Sequence, residues 1–515
     1  MLTRSYTAGI AGVEGYLLTV EADVRQGLPG MTVIGRATGA VGEARERVRG
    51  ALAHCGHDVR PRRQVVNLAP ADRRKDSPGV DVAVAAALLA AHEIVPEAAL
   101  ERVMFWGELA LDGAVRSAAG TLVVADCAKR HGFAAVAVPE ANAAEAALIP
   151  DIDVLPVRTL PELIAHLRGE KSIEPYVLPA NSLTVQPTDL PDMADVRGQL
   201  LGRVAVEVMV AGGHNLLFHG PPGVGKTMLA RRAAGLYPSL DREAALEVTK
   251  IHSVANGLVS GQLQSRPPMR MPHHTVSPAG LLGGGTPARP GEVSLAHRGL
   301  LFLDELPEFP RGCLEGMREP LEEGAVTLVR ASYAVRFPAR FQLMAAMNPC
   351  PCGFLGHPDR SCCDPVAAVQ RYQQKLSGPL MDRIDLVVPL WPASTEELVA
   401  SGPGEPTRLV RKRIEQARGR QRDRLHGTRW QTNAEIPAAD GAMERLCALQ
   451  PDAARLLTQL ARARKLSPRA QHRLRRVART VADLRRPNDD IDAPIRAEDV
   501  AEAAQLRRLP EMREG

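Results

Sequence analysis

The chain has 515 residues, 45% hydrophobic, 24% charged and 3% aromatic, which is too long for one compact core and, at roughly 150 residues per domain, suggests about three; the composition excludes a disordered chain. The net charge is +5, yet Arg408 to Arg486 alone holds 21 Lys/Arg against 7 Asp/Glu, a local +14. The opening "MLTRSYTAGIAGVEGY" lacks the basic-then-apolar order of a secretory leader, and the most apolar run, Val82 to Ala91, is too short for a bilayer. A cytoplasmic protein with no membrane attachment is therefore expected, in a compartment where disulfides are rare.

Residues 1–168 mix strand-like runs ("GYLLTVEADV", "RQVVNLA", "FAAVAVP") with helix-like ones ("GEARERVRGALAHCG", "DVAVAAALLAAHEIV"), which reads as an α/β or α+β domain. Residues 169–192 repeat Pro without an amphipathic period and read as a linker. Residues 193–394 alternate apolar strands ("HNLLFHG", "GLLFLDE", "FQLMAAMN", "IDLVVPL") with helical segments, the pattern of a sheet with helices on both faces. Residues 395–515 read as wholly helical and basic, ending in a polar tail. Their positive charge fits either arginine-rich solvated helices or a surface for nucleic-acid phosphate. No internal repeat or low-complexity tract is visible.

"GPPGVGKT", Gly220 to Thr227, matches the phosphate-binding loop pattern and lies between the strand "NLLFH" and the helix "TMLARRAAGL". Gly220, Gly223 and Gly225 let the backbone N–H groups face phosphate, with Pro221, Pro222 and Val224 completing the turn. Lys226 would reach the β and γ phosphates of ATP, and Thr227 would ligate Mg2+. Farther on, "GLLFLDE" is an apolar strand ending in two acids. Asp304 would hold the magnesium, and Glu305 would polarise the attacking water. The next strand ends in Asn348, an amide able to position that water.

Asn348 resembles sensor 1 of the AAA+ ATPases. By the same resemblance Arg383 in "SGPLMDRIDLVV" stands where such proteins carry an arginine finger, and Arg469 in "LSPRAQHRLRRVARTVADL" stands where they carry the sensor 2 arginine. "RPPMRMPHHTVSPAGLLGG" resembles the helix-2 insertion of the magnesium-chelatase-related group, and "REPLEEGAVTLVRASYAVRFPARF" its hairpin before sensor 1. From "GLPGMTVIGRATGAVGEARERVRGAL" through "VNLAPADRRKDSPGVD" to "ARTVADL", the chain is similar to the YifB/ComM family nearly end to end.

The resemblance implies an amino-terminal domain with the fold of the Lon protease catalytic domain (ribosomal S5 domain 2-like), a central P-loop AAA+ domain and a carboxyl-terminal helical lid. It implies an ATP-hydrolysing homo-hexameric ring acting on branched or single-stranded DNA, as the branch-migration helicases of this family do in recombination and natural transformation. A magnesium-chelatase-type motor subunit and an AAA+ protein remodeler are the alternatives. Lon-type peptidases need a nucleophilic Ser beside a Lys. Here "DSPGVD" puts Gly79 at the matching position, Ser77 reads as a turn residue before Pro78, and "GAVRSAAGTLVVA" contains no Lys. Peptidase activity is not expected.

Four of the eight cysteines fall in "CPCGFLGHPDRSCC". Two close pairs separated by a nine-residue loop can converge on a tetrahedral zinc, with Cys350, Cys352, Cys362 and Cys363 as ligands. Family members commonly show C-x-C on both sides, whereas here the second pair is adjacent, so His357 rivals Cys363 as the fourth ligand. Asp364 is a weaker rival, because with Pro365 after it the better reading is the N-cap and first residue of a helix. The histidines of "PHH", His273 and His274, read as structural or solvent-facing, with contact to DNA or metal as the alternative.

Overall fold

Burial that alternates along Leu2–Ala11 and Glu14–Arg25 makes these two segments an antiparallel pair, the centre of a mixed seven-stranded sheet. The computed structural model describes residues 2–35, 40–57, 62–71, 75, 78–179, 190–256, 261–330, 333–357, 359–393, 402–439 and 441–508. In the sheet the strands run in the order Gly30–Ile34, Arg63–Ala69, Glu14–Arg25, Leu2–Ala11, Val103–Phe105, Ala135–Pro139 and Asp153–Val157. The apolar run flagged by sequence is the helix Asp81–Ala91, buried along its whole length. Its alanines allow close approach to the sheet, where Thr3 Oγ1 donates to Ala87 O (2.8 Å) and Ser5 Oγ to Ala83 O (2.7 Å). These hydroxyls stand among apolar neighbours without leaving a buried donor unpaired. No helix among the described residues is long and apolar enough to cross a membrane.

Residues 169–179 form no helix or strand beyond the end of Leu160–Leu167, but they are not a free tether. Ile173 is buried, Tyr176 and Leu178 pack on the amino-terminal core, and Tyr176 N donates to Val154 O at 2.8 Å. Residues 180–189 lie outside the described residues. Asp192 belongs to the next unit, where its Oδ1 accepts from Thr407 N at 2.8 Å.

The four apolar strands expected in the central region are present as Leu216–His219, Leu300–Leu303, Gln342–Met347 and Leu386–Pro389, and Met269–Arg270 adds a fifth at one edge. All neighbours are parallel, in the order Met269–Arg270, Leu300–Leu303, Gln342–Met347, Leu216–His219, Leu386–Pro389. Successive residues feed opposite cores: Leu216, Phe218, Phe302 and Met344 on one face, Leu217, Leu301, Leu303 and Leu343 on the other. A parallel sheet buried on both faces needs such continuous apolar strands. Its order sets the carboxyl ends of three strands side by side, and those ends carry Gly220, Asp304 and Asn348.

The segment before the third of these strands forms the hairpin Ala325–Arg330 and Tyr333–Pro338. Beyond the sheet, helices Thr407–Arg424, Ala442–Leu446, Pro451–Ala463, Pro468–Arg485 and Ala497–Gln505 form the helical region. The expected polar tail is partly structural. Val387 N donates to Leu506 O (2.9 Å) and Arg508 N to Val387 O (2.8 Å), which extends the sheet past Leu386–Pro389.

Candidate nucleotide site and cysteine loop

Strand Leu216–His219 ends in the glycine turn and resumes as helix Lys226–Ala233. Gly223 (φ 80°) and Gly225 (φ 94°) hold left-handed conformations that side chains with a Cβ resist, so the turn curls back over the helix N-terminus. The Lys226 ammonium donates to Gly220 O (2.5 Å), Pro221 O (3.0 Å) and Asn348 Oδ1 (2.9 Å). Burial lowers its pKa to about 8, against the opposing pull of Asp304 and Glu305. Thr227 Oγ1 donates to Asp304 Oδ2 at 2.7 Å. This hydroxyl–carboxylate pair is a hard oxygen set of the kind that suits Mg2+.

Glu305 follows in a left-handed conformation (φ 53°), which costs a non-glycine residue about 1–2 kcal/mol. Its backbone N–H donates to Asp304 Oδ1 (3.0 Å), and its carboxylate meets His274 Nδ1 at 3.2 Å. His274 in turn stacks on His273, with ring centroids 4.1 Å apart. The histidine pair is thus neither merely solvent-facing nor part of a metal cluster among the described residues: one member touches the acid read as catalytic. No local sequence signal connects the two, because strand order brings the residues after Met269–Arg270 beside the end of Leu300–Leu303.

Arg383 lies between the short helix Gly378–Met381 and strand Leu386–Pro389. Its side chain is 15% exposed and ion-paired with Glu322, and Nη1 donates to Pro379 O at 2.5 Å. Burial lowers its pKa, helped by the nearby positive charges of Arg318 and Arg469. Arg469 is exposed in the first turn of Pro468–Arg485. Among the described residues no contact of Lys226, Thr227, Asp304 or Glu305 involves Arg383 or Arg469. The two arginines lie near one another.

The cysteine loop departs from expectation in its fourth member. Cys350, Cys352, Cys362 and Asp364 bring one ligand atom each to within 4.8 Å of all the others. Cys363 is exposed and outside the group. His357 is outside it too, since Nδ1 accepts from Asp359 N (3.1 Å) and the ring stands edge-on to Phe354. Asp364 is not the N-cap: helix Val366–Gln373 is preceded by Pro365 at that position, and the Asp364 carboxylate accepts from Cys352 N at 2.8 Å. Cys362 and Asp364, two residues apart, project into the group together, while Cys363 lies outside it but within hydrogen-bonding reach of Cys352. The missing second C-x-C is replaced in space by Cys362-x-Asp364.

Much of the basic charge of the helical region is committed internally. Arg413 pairs with Glu207 and Glu405, Arg485 with Glu502, and Arg424 and Arg479 with the buried Asp483. Arg418 and Gln421 donate to Val210 O and Ala211 O, capping the otherwise unsatisfied last carbonyls of helix Leu200–Gly212. Arg455, Arg462, Lys465 and Arg469 are exposed and form no ion pair among the described residues.

In the amino-terminal unit an added Cβ at Gly79 would lie 2.4 Å from the Trp106 indole, so no serine side chain fits there as the residues stand. Ser77 lies outside the described residues.

Three family profiles match the chain: "Subunit ChlI of Mg-chelatase" over residues 20–142, "Magnesium chelatase, subunit ChlI" over 192–398, and "Magnesium chelatase, subunit ChlI C-terminal" over 404–507. An uncharacterized Mycobacterium tuberculosis protein, Rv2897c, is 45% identical over 489 residues, 94% of this chain and 95% of its own. YifB of Escherichia coli is 40% identical over 489 residues, 94% and 93% of the two chains. The competence protein ComM of Haemophilus influenzae is 36% identical over 512 residues, 98% of each.

Proposed function

This chain belongs to the YifB/ComM family of magnesium-chelatase-like proteins, and we propose that it is an ATP-hydrolysing AAA+ motor that assembles as a hexameric ring and acts on branched DNA. The observation that carries this reading is the convergence of Lys226, Asn348, Thr227 and Asp304 at the carboxyl ends of three adjacent strands of the parallel sheet, with Glu305 beside them. Lys226 neutralises the β and γ phosphates of ATP. Thr227 and Asp304 would hold Mg2+, which when bound would screen phosphate charge. Glu305 takes the proton of the attacking water, and Asn348 orients that water in line with the γ phosphate. Release of Glu305 from His274 precedes this step, because one carboxylate oxygen is otherwise engaged.

Arg383 and Arg469 serve the site of the adjacent subunit. The absence, among the described residues, of any contact between them and the chain's own acid pair supports that role, and an arginine supplied in trans makes turnover depend on assembly. The amino-terminal region is a Lon-like unit without a peptidase dyad, a reading supported by the packing of Trp106 on Gly79. For DNA, the support is the competence protein among the relatives and the free cations Arg455, Arg462, Lys465 and Arg469. A metal-chelatase motor subunit is the second reading, favoured by the three matching profiles. Measuring ATP hydrolysis with and without four-way-junction DNA separates the two: the motor is stimulated and its Glu305→Gln variant is not, whereas a chelatase subunit ignores DNA.

A further inference from the structure

We propose that Cys350, Cys352, Cys362 and the carboxylate of Asp364 bind one zinc ion, and that this ion holds the loop against the phosphate-binding turn. The first half stands on geometry. In a tetrahedral site with Zn–S of about 2.3 Å and Zn–O of about 2.0–2.2 Å, ligand atoms are separated by roughly 3.5–3.8 Å. The observed separations are 3.3 Å for Cys350 and Cys352 Sγ, 3.6 Å for Cys352 and Cys362, 3.6 Å for Cys362 and Cys350, and 3.8 Å from Cys362 Sγ to Asp364 Oδ2. Four of the six ligand-to-ligand edges thus lie near tetrahedral length, and all four atoms lie within 4.8 Å of one another. Three thiolates select zinc over the hard cations, and the ordered outer contacts fit a metal ligand set. Leu355 N donates to Cys350 Sγ (3.3 Å), and Cys352 N to Asp364 Oδ2 (2.8 Å), so two ligands are oriented by backbone N–H groups.

The second half follows from what the loop touches, and it rests on reading the glycine turn as a nucleotide site. Gly353, one residue after Cys352, has φ 85°, and a Cβ there would sit 2.8 Å from Pro222 Cδ and 3.9 Å from Asn348 Cγ. The loop therefore lies directly on the phosphate-binding turn and on the amide that contacts Lys226. On its far side Gln373 Nε2 donates to Pro349 O at 3.2 Å, which folds helix Val366–Gln373 back onto the start of the loop. A metal that closes residues 350–364 thus fixes one wall of the turn, and its loss should weaken nucleotide binding as well as hydrolysis.

The test uses the full chain purified without a histidine tag or chelator. Metal analysis should find about one zinc per chain in the parent and in Cys363→Ser and His357→Ala, while Asp364→Asn should bind zinc at least about tenfold more weakly. Cobalt replacing zinc in the parent should give the intense visible bands and thiolate charge transfer of a tetrahedral site, a readout independent of any variant's folding. Absence of zinc together with no such cobalt spectrum overturns the site. Loss of zinc in Cys363→Ser with retention in Asp364→Asn overturns the ligand set. A fluorescent ADP analogue should then bind several-fold more tightly to zinc-loaded than to zinc-stripped protein. Equal affinities overturn the coupling alone. Failure to bind nucleotide at all, with zinc retained, overturns the motor reading and the coupling but not the metal site.

Discussion

At the scale of residues, Lys226 holds the chemistry most open to a titration. Its ammonium is lowered to about 8 by burial, and the nucleotide needs it charged. Binding should therefore take up a proton near pH 8–9, and affinity should fall by up to about tenfold per pH unit above 8. Lys226→Arg, whose guanidinium does not titrate in this range, should bind more weakly but without that slope; calorimetry in buffers of different ionisation enthalpy checks both points. A flat affinity for the parent from pH 7 to 9.5 would contradict the assignment. The eight residues of the glycine turn and the acid pair were legible because each is a local pattern with a strand before it. The His274–Glu305 contact was not, since it joins residues brought together only by sheet order. The fourth member of the cysteine cluster was less legible: Cys363 and His357 stood ahead of Asp364, and which of them groups with the three cysteines depends on the course of the chain over a few residues, which composition does not encode.

At the scale of elements, the helical region shows how charge can mislead. A +14 excess between Arg408 and Arg486 reads as a surface, yet Arg424 and Asp483 have fully buried side chains, and Arg479 and Asn433 complete their network. Burial pushes the Asp483 carboxyl up, but hydrogen bonds and charge from Arg424, with charge from Arg479, hold it below the usual carboxylate range. The network thus contributes stability that is present above about pH 4 and is lost only as pH falls through the lowered value. Asp483→Asn leaves two buried guanidinium groups without a counter-charge and should cost about 3–5 kcal/mol of helical-region stability. Thermal unfolding followed by circular dichroism should show the corresponding transition lowered, while one unchanged within a degree would contradict the account. The strands of the parallel sheet were easier to read, because two-sided burial demands uninterrupted apolar runs and each run ends in the residue that matters. The arginine caps on Val210 and Ala211 were not readable, since a free guanidinium and one satisfying a distant helix end look alike in sequence.

At the scale of the whole molecule, the proposed function depends on a neighbour. Arg383 is tucked against Glu322, close to the positive charges of Arg318 and Arg469, and has no contact with its own acid pair among the described residues. In a ring it would exchange Glu322 for the phosphates bound to the adjacent subunit. Arg383→Ala should then form rings but lose at least about 10³-fold in turnover. Mixing it with Lys226→Ala should restore part of the activity, because some interfaces combine an intact turn with an intact arginine; no recovery at any ratio would argue against action in trans. The sequence resemblance was extensive enough to anticipate the family, but which surface would meet DNA in the proposed function depends on which cations remain free after folding. The central claim is that ATP hydrolysis drives work on branched DNA. The most direct measurement follows a mobile four-way junction and phosphate release together at low salt. The account predicts that junction DNA accelerates hydrolysis, that the parent resolves the junction only with ATP, and that Glu305→Gln does neither. Hydrolysis that is indifferent to single-stranded, duplex and branched DNA, with the junction left intact, would contradict it.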